Sequence, residues 1–266
     1  MEEMIMFSLP YFTQTAKSNA KFLGAFTFVL CVFLTVMCYV FTPSAMEGLH
    51  AATEGTIASK ILDGNGTLIG FMANSFYALM AIIFPMVYSI MVGNRLIAEK
   101  IDKGSMTGFL STPTTRLQIT MTSAIYFVLS LTLMWTIATG VGIIAANQFQ
   151  PDALDVETFL LMNVGALLYH IVLSSICFCA SCVFNNSKNS LTFGAGIPLF
   201  FFVIGLFIKL SEDLDFLKYV TLNTLFNTQH ILAGKDYGWE FVTMGLIALV
   251  LYGTGIVWFN KKDLPL

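Results

Sequence analysis

Charge is what this sequence has least of. Asp, Glu, Lys and Arg make up 11% of its 266 residues and hydrophobic residues 56%, whereas a soluble domain carries about 25% charged residues. The scarcity is also patterned. Six runs, at about 22–41, 68–93, 117–146, 158–184, 191–208 and 241–260, contain none of the four. A charge at mid-membrane costs about 2.5–3.5 kcal/mol on insertion scales and usually marks a proton or ion pathway. Charge-free interiors therefore argue against a proton-coupled carrier and against an intramembrane aspartyl enzyme. They leave open sodium sites built from carbonyls and hydroxyls.

Other absences narrow the field further. No G-x-x-x-x-G-K-[ST] occurs. The stretch "GNGTLIG" at 64–70 has the glycines but no lysine, so the chain cannot itself hydrolyse ATP through a P-loop. H-E-x-x-H and G-x-S-x-G are missing too. The chain is read as no enzyme, with no catalytic, cofactor-binding or metal-binding residues of its own. All five cysteines (Cys31, Cys38, Cys177, Cys179 and Cys182) fall inside apolar runs, which excludes a disulfide framework in the loops. They are read as small packing residues. "CFCASC" is no metal motif, because adjacent helical positions face different ways. Asn65-Gly66-Thr67 is a glycosylation sequon, given little weight because such triplets arise by chance.

What is present follows from length. A bilayer core of about 30 Å needs roughly 20 apolar residues at 1.5 Å each. The six runs meet that length, lack the alternation of a barrel, and satisfy their backbones only as helices. The expected fold is all-α, an integral membrane protein of six transmembrane helices in one domain over 1–266. The first run is expected to be an uncleaved anchor, since it is long and follows the acidic "MEEM". Lys17, Lys21, Arg95, Lys100, Lys103, Arg116, Lys188, Lys261 and Lys262 fall on one side, and only Lys60, Lys209, Lys218 and Lys235 on the other. This bias places both termini in the cytoplasm.

The connecting segments carry expectations too. Residues 1–21 mix Phe7, Leu9, Tyr11 and Phe12 with Lys17 and Lys21, as an interfacial amphipathic helix would; a frayed tail is the alternative. Small residues such as Gly140, Gly165, Gly194 and Gly255 are expected where helices approach closely. Pro85 and the Gly194–Pro198 stretch could kink spans two and five. "NNSKNS" is a tight turn between antiparallel spans four and five. The outer segment 209–240 contains "YVTLNTLFNTQHILAG", too apolar for an exposed loop and too short to cross, which fits re-entrant or interfacial short helices. Inside the spans, Asn74, Trp135, Asn163 and His170 are read first as interhelical contacts and second as pathway lining.

The stretch "EKIDKGSMTGFLSTPTTR", residues 99–116, lies on the Lys/Arg-rich side between spans two and three. Residues 94–103 read as a continuation of span two, with Glu99 and Lys103 paired four apart. Gly104 interrupts it. Ser105 can cap a second short helix carrying Met106, Phe109 and Leu110, and Pro113 ends that helix at Thr112. Arg116 marks the start of span three. The apolar side of this element could dip among lipid headgroups or fit a groove on a partner. The spacing alone does not separate the two.

These segments resemble a known family. "EKIDKGSMTGFLSTPTTR", "LFNTQHILAG" before the last span and the ending "WFNKKDLPL", on a six-span layout, resemble the membrane subunit of a bacterial ATP-binding-cassette transporter of the type-2 permease family. The resemblance implies that residues 94–116 form a coupling helix docking on a separate ATPase subunit. Ser105, Met106, Phe109 and Leu110 would be anchors, Glu99, Lys103 and Arg116 polar contacts, and Gly104 and Pro113 shaping residues. ATP and Mg would bind the ATPase. The resemblance further implies a second permease, identical or homologous, an interfacial N-terminal helix, re-entrant elements before span six, and the bacterial cytoplasmic membrane. No nucleic acid is expected as a partner. The expected role is an exporter permease for an amphipathic peptide, drug or lipid. The alternative is a membrane anchor or sensor subunit that transports nothing.

Overall fold

A computed structural model describes residues 7–42, 66–111, 113–210 and 221–263. The expectations for Asn65, Thr112, most of the 42–67 loop and residues 211–220 lie outside the described residues. Among the described residues, six helices are long and apolar enough to cross a membrane. Span one is α1, Leu9–Val40. Span two, Leu68–Leu96, is built from α2 (Leu68–Ser75), a π-helical turn (Phe76–Met80) and α3 (Ala81–Leu96). The short helices α4 (Ala98–Asp102) and α5 (Met106–Leu110) follow. Spans three, four and five are α6 (Arg116–Phe149), α7 (Val156–Val183) and α8 (Ser187–Leu210). After a 3-10 turn, Leu222–Leu225, and α9 (Thr228–Leu232), span six is α10 (Gly238–Lys261).

Span one corrects an expectation. Residues 9–21 are not a separate interfacial helix but the first turns of α1, which runs unbroken for 32 residues, about 48 Å. Pro10 sits in the first turn, where its missing N–H costs nothing, and no proline or glycine breaks the run before Gly24. Tertiary contacts hold these turns in line. The Ser8 N–H donates to Thr122 Oγ1 at 3.0 Å, and the Tyr11 hydroxyl lies 3.2 Å from Ser123 Oγ, both on α6.

Span four is the centre of the bundle, packed against spans two, three, five and six. Small residues set that packing. A Cβ on Gly93 of span two would stand 2.7 Å from Cys177 Cβ, and one on Gly255 of span six 3.2 Å from Cys179 Cα. In lipid no hydrophobic drive gathers helices, so such approaches gather dispersion contacts instead. The cysteines are free and serve this packing. Cys177 has a second role at span five. Pro198 lacks an N–H, which leaves the Gly194 carbonyl four residues earlier without its helical donor. The Cys177 thiol supplies one at 3.1 Å. Spans four and five are antiparallel neighbours joined across residues 184–186, with Asn94 Nδ2 of span two donating to Ser187 Oγ at 2.8 Å.

Candidate functional site

The element between spans two and three begins with a break that another helix makes. Ile97 leaves helical geometry at φ −130° and ψ −64°. An unbroken helix would bond the Ala98 N–H to the Asn94 carbonyl. Ser181 of span four stands between them, accepting from Ala98 N at 2.9 Å and donating to Asn94 O at 3.4 Å. A side chain inserted into the ladder is a recognised cause of a helix bend. The bend turns α4 out of line with span two while Leu96, Ile97 and Ile101 stay buried.

Beyond α4 the chain reverses at Gly104, whose φ of +70° is in the left-handed region that glycine tolerates. Lys103 Nζ reaches Glu99 Oε1 at 2.5 Å, the pairing expected from their spacing. Ser105 does not cap α5: its hydroxyl donates back to the Lys100 carbonyl at 3.2 Å, and its backbone is already helical. Thr107, Ser111 and Thr114 hydroxyls return to the carbonyls of Gly104, Gly108 and Phe109. Span three then opens with a reciprocal capping box between Thr115 and Gln118.

Met106 and Phe109 of α5 turn inward, towards span one. Met106 is fully buried in the core, because the reversal at Gly104 folds α5 back against span one. Phe109 is half-buried, edge-on to Tyr11 with ring centroids 5.3 Å apart. Lys100 completes the joint: its ammonium donates to the Tyr11 hydroxyl at 2.7 Å and lies 5.2 Å from the Phe109 ring centre. The Tyr11 hydroxyl also pairs with Ser123 Oγ, and either hydroxyl can be the donor. The Leu110 side chain lies outside the described residues. What the element exposes is Asp102, Lys103, Gly104, Ser105, Thr107, Gly108, Ser111 and Pro113, with no large apolar side chain among them.

Arg116 also has a partner within the chain. Its guanidinium donates to the Lys262 carbonyl at 2.8 Å, at the C-terminal end of span six, where the helix dipole favours a cation. Lys262 Nζ reaches the Phe184 carbonyl past the end of span four, at 3.4 Å. Burial pushes the Lys262 amine down to about 8, with Arg116 nearby adding to the shift. The ends of spans three, four and six are thus tied together.

The polar residues inside the spans divide into two groups. His170 is fully buried, with Nδ1 2.6 Å from the Ala166 carbonyl and Nε2 3.3 Å from the Ile82 carbonyl, three residues before Pro85. A neutral ring donates to one of them, and the shorter distance favours Ala166. Trp135 packs 5.6 Å from the His170 ring and stacks on Tyr77. Asn163 Nδ2 donates to the Phe159 carbonyl at 2.8 Å. These three lie within the packed core. Asn74 lies elsewhere, lining a cavity of about 380 Å³ between span two, span five and residues 221–229. Its Oδ1 accepts from Gln229 Nε2 at 2.7 Å.

The segment before span six enters the bundle by its contacts. Asn223 Nδ2 donates to the Phe201 carbonyl at 2.9 Å, Thr221 Oγ1 to the same oxygen at 3.2 Å, and the Tyr169 hydroxyl donates to Asn223 Oδ1. The notch is Gly205, where any Cβ would collide with the Asn223 amide. Phe226 stacks on Tyr169 with centroids 6.1 Å apart. No described residue lining the cavity is charged. It can exchange hydrogen bonds with a neutral or amphipathic molecule.

Sequence reasoning missed Tyr11, Lys100 and Ser181, the residues that hold the α4–α5 element. The four-residue spacing of Tyr11 and Thr15 along one helix face was a signal available for the first. A lone serine in a span carries none. In comparison with known proteins, the model of the family described as ABC-2 family transporter protein matches residues 18–264. No curated protein matches the sequence.

Proposed function

The chain belongs to the ABC-2 transporter family, and on that premise we propose that it is the permease of an ATP-driven exporter worked by a separate ATPase subunit. Family and fold together make it a multi-pass membrane transport component. The observation that carries the coupling is the α4–α5 element. Its inner side is fastened to spans one and four through Lys100–Tyr11 and Ala98–Ser181, while Lys103 to Gly108, Met106 excepted, are exposed. A rigid, exposed protrusion can pass force; a loose tether cannot.

In this reading the docking face is Lys103, Gly104, Ser105, Thr107 and Gly108, with Ser111 and Pro113 at its edge. Glu99 orients Lys103, and Met106 and Phe109 brace the face from within. ATP and Mg bind the partner, two permeases enclose the pathway, and ATP-driven closure of the ATPases rocks them. Both termini lie in the cytoplasm of a bacterial cell. Residues 221–232 dip into the membrane from outside, and the uncharged cavity beside Asn74 takes part of an amphipathic peptide, drug or lipid.

Gly108→Arg tests the docking. A Cβ there meets nothing within 4 Å, so the side chain projects outward without disturbing the fold. The expected result is normal membrane insertion with co-purification of the ATPase reduced at least tenfold. Full co-purification of Gly108→Arg and of Thr107→Arg would remove the docking proposal and favour the anchor or sensor reading.

A further inference from the structure

Three cations meet in a pocket behind the docking face, which shares only Lys103 and Ser105 with it. It is about 290 Å³ and lies between the first turns of span one and the α3–α4 junction. Arg95, Lys100 and Lys103 line it with a single carboxylate, Glu99. Glu99 is engaged by Lys103. Arg95 and Lys100 have no carboxylate partner among the described residues. Arg95 is held over the Phe22 ring at 4.7 Å, with Ser18 Oγ at 3.5 Å.

A second observation points independently to a ligand. Thr15 and Asn19 line the same pocket and are each 3% exposed. The Thr15 hydroxyl and the Asn19 side-chain oxygen have no hydrogen-bond partner among the described residues, although Asn19 Nδ2 donates to the Thr15 carbonyl at 2.9 Å. Buried polar atoms are normally paired, because leaving one unpaired is costly. Cations call for an anion; a bare amide oxygen calls for a donor. One ligand satisfying both carries a negative charge and an O–H or N–H group close together.

We infer that this pocket binds a phosphodiester bearing a hydroxyl or ammonium donor. That is the chemistry of a phospholipid headgroup or of a soluble glycerophosphodiester. The phosphate sits between Arg95 and Lys100, which match it by charge-assisted bonds, and the donor group reaches the unpaired Asn19 Oδ1 and Thr15 Oγ1. Residues 14–19 directly precede the apolar part of span one, the depth at which headgroups lie. A bound headgroup bridges span one to α4, the element that carries the exposed protrusion.

The test is calorimetric titration of the full-length chain in neutral detergent with three probes: short-chain phosphatidylglycerol, short-chain phosphatidylcholine and glycerophosphoglycerol. Phosphatidylglycerol should bind saturably, and phosphatidylcholine, which has no donor, about tenfold or more weaker. Arg95→Gln with Lys100→Gln should weaken phosphatidylglycerol about tenfold or more. Equal binding of glycerophosphoglycerol assigns the site to the soluble ester; binding of the lipid alone assigns it to the headgroup in a membrane. Thr15→Val keeps the shape and removes only the unpaired hydroxyl. It should weaken binding about threefold while leaving the thermal midpoint unchanged or raised, so the test survives if the charge variants misfold. No saturable binding, equal binding of the two lipids, or undiminished binding in Thr15→Val would overturn the inference.

Discussion

Replacing Ser181 with alanine removes one oxygen from the joint between span two and α4. Ser181 Oγ accepts the Ala98 N–H at 2.9 Å and donates to the Asn94 carbonyl at 3.4 Å, and Ala98 and Ser181 are fully buried. Without the hydroxyl, the Ala98 N–H has no partner where it stands. A buried unsatisfied donor costs about 1–3 kcal/mol. At 1.4 kcal/mol per factor of ten, local opening becomes about 5- to 150-fold more frequent. The alternative is that the Asn94–Ala98 rung closes directly. Ile97 would then rotate from φ −130° towards about −63°, α4 would align with span two, and Lys100 would be drawn away from Tyr11. Both routes loosen α5 from span one. Hydrogen exchange read by mass spectrometry on peptides covering 98–110 measures this in the purified protein. The expected result is acceleration there with peptides in spans three and six unaffected. Exchange in 98–110 within twofold of the parent would refute the claim that Ser181 holds the bend.

Two further substitutions test packing and charge. Gly93→Ala places its Cβ 2.7 Å from Cys177 Cβ, an atom fixed to another helix backbone, and overpacking of this kind costs about 1–3 kcal/mol. Gly140→Ala meets nothing within 4 Å and should gain up to about 1 kcal/mol of helix propensity; detergent unfolding midpoints moving in the same direction for both would contradict the assigned contacts. Lys262 titrates near 8 in the folded chain because of burial, below the value of about 10.4 for an unfolded lysine. Across about pH 8–10 the unfolded chain holds the extra proton, so stability rises with pH in that window, by an amount that solvent at this half-exposed site reduces. Lys262→Met should flatten the rise, and an identical slope of thermal midpoint against pH in parent and variant would count against the burial.

The spans were legible because a membrane imposes a length and removes charge, and both are properties of contiguous sequence. Gly104 and the Glu99–Lys103 pair were legible because a turn and an i,i+4 pair depend on neighbours in the chain. The direction of α5 was not. Met106, Phe109 and Leu110 show that the element has an apolar side, and nothing local says whether that side meets a partner or Tyr11, nearly a hundred residues earlier. Arg116 begins span three as its place in the sequence indicates, but its acceptor at Lys262, 146 residues on, was not legible. The π-helical turn at 76–80 and the uninterrupted α1 are likewise settled by packing, because "SFYALM" and "AKSNAKFLGAF" hold no residue that demands either form.

The pattern of fastening says which parts of the bundle can move together. The exposed face at Lys103 to Gly108 is tied through Phe109 and Lys100 to Tyr11 of span one, through Tyr11 to Ser123 of span three, and through Ala98 to Ser181 of span four. Arg116 and Lys262 then join span three to the ends of spans six and four. A load on that face reaches four spans through short polar bonds, each shielded in part from water. Span five packs on spans four and two but joins this network through fewer polar bonds. It is held by the Asn94–Ser187 and Cys177–Gly194 contacts and, further along, by Thr221 and Asn223 on the Phe201 carbonyl. Phe193, Phe200, Val203 and Phe207 face outward from it. The cavity beside Asn74 has span five as one wall and span two as the other. In the proposed mechanism a push on the docking face therefore moves one wall as part of a polar-braced unit while the other follows through apolar packing and few polar bonds, and the volume between them is what changes.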